Sequence, residues 1–498
     1  MGIEELNNLI HEVQQNEKIH KSLYLNVPLW SIIKAPLYEV LLNKIGRNKI
    51  DSPLDKILKK TTISNSLYRL IKAKLTLLIK PNTYYSQFDG IMFVHVHTKK
   101  NIDNKIVFNF SDIIINEANN IKYLLIHNDK GHDYSVELKH KPTFYSNPFR
   151  FPPLIYISKS DKKKFKELVT PLEKSLKEEL NKGHYTEEIV QFIIENLYHK
   201  KVISHLYNFE KEYKRFSNFL NKYTPKFIYL TNSQSHAGII LAAKENKIPV
   251  IELQHGLFTP THRVYDWPQS YRNKINLIPD YFFVWGDYWK EVLLKQENYW
   301  RENAIISVGN PNFDSFREAF FEKKNSENIK NRVLITSNHI VSEQLSSFLI
   351  YFFEKYYSQL LEKGFVFNIK LHIKEQLHSN YEEINRKFNK IVKIVDRETS
   401  FDNALNQNEY LLSTFSVTLF ESVSLGKKTA AIDLLESAKI INSLPTIGIE
   451  SIKSIEELYH YLVKSQFKEN HIDTDFLFKR NASSNINNTI KRITNEKL

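Results

Sequence analysis

The chain has 498 residues, 42% of them hydrophobic, and 69 Lys and Arg against 56 Asp and Glu give it a net charge of +13. This length predicts two or three globular domains. The absence of cysteine excludes disulfides, thiolate metal sites and a cysteine nucleophile. The N-terminus lacks the pattern of a signal peptide and no apolar run is long enough for a membrane span, so we expect a cytoplasmic protein. The basic excess favours an anionic partner, but Lys, Asn and Ile are abundant throughout the chain, so the charge carries little weight by itself.

Residues 1–85 are predicted to form an N-terminal helical region. Its segment 66–80, from Ser66 to Lys80, places leucines and isoleucines near one face with basic residues beside them. Such an amphipathic helix either lies on an anionic membrane surface or packs on a core with its cationic face in solvent. In the first case the protein would be peripheral at the inner face of the plasma membrane.

An α/β domain is predicted from residue 86 to residue 315, because short apolar runs alternate with helical patterns there. The proline-containing stretch 130–160 is interpreted as an irregular loop, and charged helices are expected between 161 and 223. The predicted strands are 88–97, 105–109, 122–127, 225–230, 249–253, 280–285 and 305–308.

Polar turns follow the predicted strands 225–230 and 249–253, where an open α/β sheet binds its ligands. His236 opens the helix after the first of these strands, and His255 follows the second. Either imidazole titrates near working pH and could deprotonate an acceptor hydroxyl, with Glu252 as a reserve candidate. The structural alternatives are that His236 caps a helix and that Glu252 is paired within the sheet layer.

A charged segment, 313–332, is interpreted as a linker to a second α/β domain at 333–455. Residues 456–498 are predicted to be helices that pack back on the body. Lys370 and His372 alternate onto one face of a predicted strand, 365–372, and Ser337 follows the strand 333–336. Cationic groups placed there would neutralise a leaving nucleotide phosphate.

The stretch 410–433 contains a strand, a hydroxyl cluster, a helix, a glycine stop and a second strand, which together predict a βαβ unit. Ser413, Thr414 and Ser416 fall where the helix begins, a position that suits a phosphate. Glu421 lies about one turn further on, where a carboxylate could accept hydrogen bonds from the two hydroxyls of a ribose. The alternative is that the hydroxyls only cap the helix and Glu421 is a surface residue.

Metal and cofactor motifs are scarce in this sequence. The single Asp-x-Asp pattern, 473–475, lies in the C-terminal region, beyond every candidate donor residue. Pairs of histidines at helical spacing and glycine-rich phosphate or dinucleotide motifs are absent. We therefore predict a reaction that needs neither a metal ion nor another cofactor.

Five motifs occur in a characteristic order along the chain. They are ELQHG (252–256), DYFFVWG (280–286), VGNPNFD (308–314), KLH (370–372) and STFSVTLFESVSLGK (413–427). The series resembles bacterial surface-polysaccharide glycosyltransferases, namely the capsule β-Kdo transferases, the polysialyltransferases and, more distantly, the CDP-glycerol glycerophosphotransferases. It covers roughly residues 225 to 435. These families typically carry proline after the histidine, whereas Ile373 follows His372 here.

The resemblance implies a GT-B fold, in which two Rossmann-like domains face a central cleft, here with extra N-terminal helices. It also implies an inverting, metal-independent transfer of a sugar from a nucleotide-sugar donor to an oligosaccharide or lipid-linked glycan acceptor, for capsule or lipopolysaccharide. On the donor side it implies Ser337, Lys370, His372, Ser413, Thr414, Ser416 and Glu421. On the acceptor side or in the cleft it implies Gln254, Gly256 and Asn310, with His255 or His236 as the base.

Two other functions are compatible with parts of the sequence. The same fold could transfer a polyol phosphate from a CDP-linked donor. A nucleic-acid-binding protein would explain the net charge of +13, but it requires basic residues interleaved with aromatics on one face. The basic residues are dispersed along this chain, so we expect no nucleic-acid partner.

Overall fold

The protein is described by a computed structural model as two compact units. The first comprises Met1–Val284, Trp289–Val308 and Ser483–Leu498, and the second comprises Trp285–Tyr288 and Gly309–Ala482. This division does not test the domain limits predicted from the sequence, which stay a prediction. The residues that the structure describes are 3–47, 88–94, 99–102, 105–118, 120–126, 137–138, 143–144, 158–183, 185–258, 265–274, 276–294, 299–322, 329–338, 341–372, 375, 379–414, 416–434, 447–464 and 473–495.

The strands are numbered here in chain order. They are β1 (Leu23–Tyr24), β2 (Val27–Pro28), β3 (Gly90–Phe93), β4 (Lys99–Ile102), β5 (Lys105–Phe108), β6 (Tyr123–Ile126), β7 (Glu137–Leu138), β8 (Thr143–Phe144), β9 (Phe227–Leu230), β10 (Val250–Leu253), β11 (Tyr281–Val284), β12 (Ile305–Ser307), β13 (Arg332–Thr336), β14 (Val366–Lys370), β15 (Val392–Ile394), β16 (Tyr410–Ser413), β17 (Lys428–Ile432) and β18 (Glu450–Ile452).

The α-helices are numbered in the same way. They are α1 (Ile3–Gln15), α2 (Leu29–Arg47), α3 (Asn109–Asn116), α4 (Lys159–Leu180), α5 (Glu187–Leu197), α6 (Lys200–Leu220), α7 (Ala237–Glu245), α8 (Asp287–Leu294), α9 (Pro311–Glu322), α10 (Ser342–Glu362), α11 (Ser379–Lys387), α12 (Phe401–Asn406), α13 (Val417–Ser424), α14 (Ile455–Lys464), α15 (Thr474–Leu477) and α16 (Ala482–Asn495).

The first unit is built on a seven-stranded parallel sheet in the order β12-β11-β10-β9-β3-β6-β8. Numbered within this sheet, the order is 7-6-5-4-1-2-3, so the direction of winding reverses between β3 and β9. That reversal defines a Rossmann-like sheet. Every residue of β3, β6, β9 and β10 is buried, as expected of parallel strands covered on both faces.

Helices from distant parts of the chain cover the two faces of this sheet. On one face, Ile486 and Ile490 of α16 share a core with Phe227 of β9. On the other, Ile239 of α7 shares a core with Ile228 of β9. The expected C-terminal region 456–498 is therefore divided, since α14 packs in the core of the second unit and α16 packs in the core of the first.

The N-terminal helices α1 and α2 belong to the first unit. Lys34 of α2 is buried and donates hydrogen bonds to Gln14 Oε1 and to the Asp266 carbonyl, both at 2.9 Å. Its ammonium also lies 3.4 Å from the ring centroid of Trp267, so the N-terminal helices are tied to the segment that follows β10. The segment 66–80 lies outside the described residues. Among the described helices, we find none with the length and apolar composition of a membrane span.

The second unit contains a six-stranded parallel sheet in the order β15-β14-β13-β16-β17-β18. Numbered within the sheet this is 3-2-1-4-5-6, the Rossmann order, and the winding reverses between β13 and β16. Its core includes Leu349 and Phe353 of α10 packed on Ile369 of β14. The two sheets confirm the prediction of an α/β chain with two Rossmann-like domains.

Two predicted segments have structural contexts that the sequence did not indicate. The strand predicted at 105–109 is β5, but it pairs with β4 and β7 in a separate sheet instead of joining β3. Only two residues separate β4 from β5, which suits an antiparallel pair, whereas adjacent parallel strands need a long crossover. The predicted linker 313–332 begins within α9, where Phe313, Phe316 and Phe320 recur at helical spacing. Most of the predicted loop 130–160 lies outside the described residues.

Candidate functional site

In the second unit, the ends of three adjacent strands carry most of the residues predicted to bind a donor. Ser337 follows β13, His372 lies two residues beyond β14, and Thr414 follows β16. The winding of the sheet reverses between β13 and β16, so this edge is where a Rossmann-like sheet forms its ligand crevice.

Two of the predicted hydroxyls have local partners. Ser413 Oγ donates to the Thr336 carbonyl at 3.2 Å, across the pair of strands where the winding reverses. Ser416 Oγ accepts from the Thr418 N–H at 3.3 Å and so caps α13. The capping interpretation is therefore correct for Ser416.

Thr414 and Glu421 differ from those two residues. Thr414 Oγ1 is buried and has no hydrogen-bond partner among the described residues. The Glu421 side chain is partly exposed, and within the described part of the chain it has no hydrogen bond or ion pair. Burial nevertheless raises the pKa of Glu421 to about 7, because the surrounding protein disfavours its charged form. Buried polar groups usually have partners, so the Thr414 hydroxyl is available to a ligand, and the Glu421 carboxylate is partly accessible one turn further along α13.

The turn after β14 is held by a carboxylate that the sequence analysis missed. The His372 N–H donates to Ser337 Oγ at 2.8 Å, and Ser337 Oγ donates to the buried Glu375 carboxylate. The Glu375 N–H donates to the His372 carbonyl at 2.8 Å, which closes a turn without proline. Glu375 thus links the end of β14 to Ser337 at the end of β13. The only signal in the sequence was an acidic residue three positions after His372.

Lys370 lies at the end of β14, and its ammonium donates to the Thr399 carbonyl. Burial lowers the pKa of Lys370, since the charged form loses part of its hydration. In this conformation the side chain bonds to the segment between β15 and α12, and a role toward phosphate stays a prediction.

In the first unit, three predicted residues follow β10 in succession. The Gln254 N–H donates to the Phe283 carbonyl at 2.8 Å, and its side-chain amide donates to the Gly256 carbonyl at 3.1 Å. His255 is partly buried, and desolvation lowers its pKa to about 4, so the expectation that this imidazole titrates near working pH is wrong. A Cβ added at Gly256 would meet no atom of the described residues within 4 Å. Packing within the described residues therefore does not require glycine at this position.

Glu252 is fully buried in β10, and only one of its two carboxylate oxygens has hydrogen-bond partners among the described residues. Its Oε1 accepts from the Ser233 N–H and from the Tyr265 hydroxyl, both at 3.1 Å. Its Oε2 has no hydrogen-bond partner among the described residues. Burial raises the pKa of Glu252 to about 7. The expected pairing within the sheet layer thus accounts for one oxygen of this carboxylate.

His236 occupies the N-cap position of α7, as the structural alternative predicted, but its side chain makes no capping hydrogen bond. The ring packs on Phe93 with centroids 4.6 Å apart. Its Nδ1 lies 3.5 Å from Oε1 of Glu212, a buried residue of α6 that the sequence analysis also missed. Glu212 Oε2 accepts from the Gly238 N–H at 3.1 Å. The imidazole therefore lies beside a carboxylate that is anchored to the start of α7.

Asn310, predicted on the acceptor side, belongs to the second unit. Its Oδ1 accepts from the Asn312 N–H at 3.0 Å and caps α9, so the predicted role is untested. The described residues contain no group of three side chains that could hold a metal ion. Asp473 caps α15 and Asp475 pairs with Arg480 at 3.0 Å, which gives the Asp-x-Asp pattern structural partners.

Comparison with known proteins found similar chains among solved structures only. No family model and no curated sequence matches this chain. The UDP-GlcNAc 2-epimerase of Neisseria meningitidis, solved with UDP-GlcNAc, is 14% identical, with 81% of this chain and 99% of that chain covered and a TM-score of 0.47. The wall teichoic acid polymerase TagF is 10% identical, with 87% and 99% covered and a TM-score of 0.40. MurG of Acinetobacter baumannii is 10% identical, with 58% and 79% covered and a TM-score of 0.39. The fold assignment rests on the strand orders of the two sheets themselves.

Proposed function

We propose that the protein is an inverting glycosyltransferase, which moves a sugar from a nucleotide-sugar donor to a growing bacterial surface polysaccharide. The observation that carries the proposal is the pair Thr414 and Glu421. Both lack partners within the described residues, and both lie beside the strand-order reversal of the second sheet. The surface polysaccharide as product is supported by the motif series alone.

The donor would bind with its phosphates at the start of α13. Helix N-termini attract anions through free N–H groups and the helix dipole, and Thr414 offers a hydroxyl in addition. The Glu421 carboxylate would accept hydrogen bonds from the ribose hydroxyls. His372, held by the Ser337 and Glu375 turn, would face a phosphate oxygen and stabilise its charge.

The reaction would be a single displacement. The acceptor oxygen forms a bond to the anomeric carbon while the bond from that carbon to the donor phosphate breaks, and the electron pair leaves on the nucleotide phosphate. The acceptor proton goes to a base, for which His255 is our first candidate and His236 the second. Attack opposite the leaving group inverts the anomeric configuration.

Thermal unfolding with a panel of UDP-, GDP-, CMP- and CDP-linked donors would test this proposal. A ligand at about 100 times its Kd adds about 2.7 kcal/mol of stability, which is a clear shift. We expect one donor class to protect the protein and Glu421→Ala to lose the protection. Glu362→Ala, on an exposed position of α10, is the matched control. Equal protection of parent and Glu421→Ala would refute the ribose role. In a separate turnover assay, a phosphodiester in the product would indicate polyol-phosphate transfer instead.

The same carboxylate predicts how donor binding depends on pH. The ionised form of Glu421 accepts with both carboxylate oxygens and more strongly than the neutral acid, and burial raises its pKa to about 7. Donor affinity should therefore increase as the pH rises from 6 to 8, whereas a Glu421→Gln protein should show no such increase. The affinities can be measured by calorimetry at constant ionic strength.

A further inference from the structure

The first unit contains a pocket that the proposed chemistry does not use. It has a volume of about 420 Å³ and lies between α2, α6 and the turn after β9. This volume is within the range of about 300–1,000 Å³ that is typical of small-molecule sites. Nine of its twelve lining residues are polar, so a ligand there must be recognised mainly by hydrogen bonds.

Two buried acceptor atoms of this pocket have no hydrogen-bond partner among the described residues. They are Asn208 Oδ1 and Glu212 Oε1. The two residues are four positions apart on α6 and so lie on one face of the helix. The side chain of Glu212 is only 7% exposed, and the contact from its Oε1 to His236 Nδ1, at 3.5 Å, lacks hydrogen-bond geometry. Unpaired buried acceptors are costly, and a ligand with O–H or N–H donors would satisfy them.

The charges around the pocket are already compensated. Glu39 pairs with Lys201 and also accepts from the Gln234 amide at 3.4 Å. The charge of Glu212 is met by the Gly238 N–H at the positive end of α7. A net cation or anion would therefore gain little here. Ser204 contributes a hydroxyl that can both donate and accept, which matches the hydroxyls of a sugar.

We infer that this pocket binds a neutral sugar unit, whose hydroxyls donate hydrogen bonds to Asn208 and Glu212. The walls come from the N-terminal helix α2 as well as from α6 and the turn after β9, which gives α2 a part in recognition. Identification of the occupant as a sugar of the glycan acceptor rests on the proposed function. The pocket and its two unpaired acceptors are observed independently of the proposed function.

Saturation-transfer NMR with the full-length protein would test this inference. The probes are methyl glycosides of neutral hexoses and N-acetylhexosamines at millimolar concentration, without nucleotide. At least one should bind, and Asn208→Ala should weaken it about fivefold or more, the effect of one lost hydrogen bond. Glu212→Gln should also weaken glycoside binding. If the new amide oxygen keeps the hydrogen bond from the Gly238 N–H, the amide NH2 faces the pocket as a donor where the ligand needs an acceptor. Asn218→Ala, at an exposed position of the same helix, is the matched control and should bind like the parent.

A second variant separates loss of binding from loss of folding. Ser204→Leu fills the pocket without removing either acceptor and should abolish binding in a protein whose thermal unfolding is unchanged. The inference is overturned if no glycoside binds the parent, or if Ser204→Leu and Asn208→Ala bind like the parent. Nucleotide-sugar protection of the same proteins is measured separately. Retained protection without glycoside binding would reject the pocket and leave the proposed transferase standing.

Discussion

Burial shifts the protonation of two candidate bases in opposite directions. It raises the pKa of Glu252 to about 7 and lowers the pKa of His255 to about 4, because in each case the charged form is disfavoured. Both residues belong to one short segment, β10 and the turn after it. Their predicted pH dependences therefore differ, and kinetics can distinguish the two bases.

We expect His255 to be the base. A base acts in its unprotonated form, so turnover should be constant from pH 5.5 to pH 8, well above the pKa of His255. His255→Ala should lower turnover by about 10²–10⁴ with little change in donor KM, because the candidate donor residues belong to the second unit. The measurements are pH–rate profiles at saturating donor for the parent, His255→Ala and His236→Ala.

Two results would contradict this assignment. If turnover decreases as the pH falls below about 7, and Glu252→Gln removes most of the activity, the base is Glu252. If His255→Ala raises donor KM and leaves kcat unchanged, His255 binds the donor and does not accept the proton.

The contact between α6 and α7 depends on one glycine. A Cβ added at Gly238 would lie 2.6 Å from the Phe209 carbonyl and from the Tyr213 nitrogen, both backbone atoms of α6. The two helices therefore touch through their backbones. This close approach allows Glu212 to accept from the Gly238 N–H and to lie beside His236.

Gly238→Ala should lower the free energy of unfolding of the first unit by about 1–3 kcal/mol, because the added methyl forces the helices apart. In an unconstrained helix the same change would stabilise by about 0.5–1 kcal/mol, so the sign of the effect is informative. Gly256→Ala is the control, with space around its Cβ, and should change stability by less than about 0.5 kcal/mol. Urea unfolding of both variants provides the measurement. A stabilised Gly238→Ala protein would contradict the close packing.

The chain returns to its first unit at the very end of the described residues. Ile486, Ile490 and Ile493 lie on one face of α16 and are buried in the core formed with β3 and β9. The Tyr123 hydroxyl donates to Asn487 Oδ1 at 2.7 Å on the same helix. The core of the first unit is therefore completed by residues that are synthesised after the whole of the second unit.

Ile490→Ala should destabilise the first unit by about 2–5 kcal/mol, the usual effect of a large-to-small change in a core. Asn488→Ala, on the exposed face of α16, is the matched control. Native-state hydrogen exchange can resolve the two units: we expect faster exchange in β3 and β9 of Ile490→Ala and unchanged exchange in β13 and β16. Equal acceleration in both sheets would show that the units unfold as one.

Metal independence is a prediction about the protein as a whole. The proposed donor site stabilises the leaving phosphate with a helix N-terminus and His372, so catalysis should not require a divalent cation. Activity in excess EDTA should equal activity with added Mg²⁺. Complete loss on chelation that Mg²⁺ or Mn²⁺ restores would require a metal in the mechanism.

The sequence alone determined the local units of this protein. The βαβ unit around Ser413 was predicted nearly residue by residue, because a buried apolar run, a capping serine and Gly426 at a positive φ of 74° act within a few positions of one another. Ser413, Thr414 and Ser416 were candidates for the same reason, since the end of a parallel strand and the start of a helix can be recognised from short patterns.

Only the tertiary structure decided which distant groups meet. Glu212 lies 26 positions before Gly238, Glu375 lies 38 after Ser337, and Asn487 lies 373 after Ile114, yet each pair shares a hydrogen bond. Such pairs depend on how all the apolar surfaces of the chain are buried together, which local propensity does not encode. The same reason explains the separate sheet of β5, the placement of α16 in the first unit and the two unpaired acceptors of the pocket.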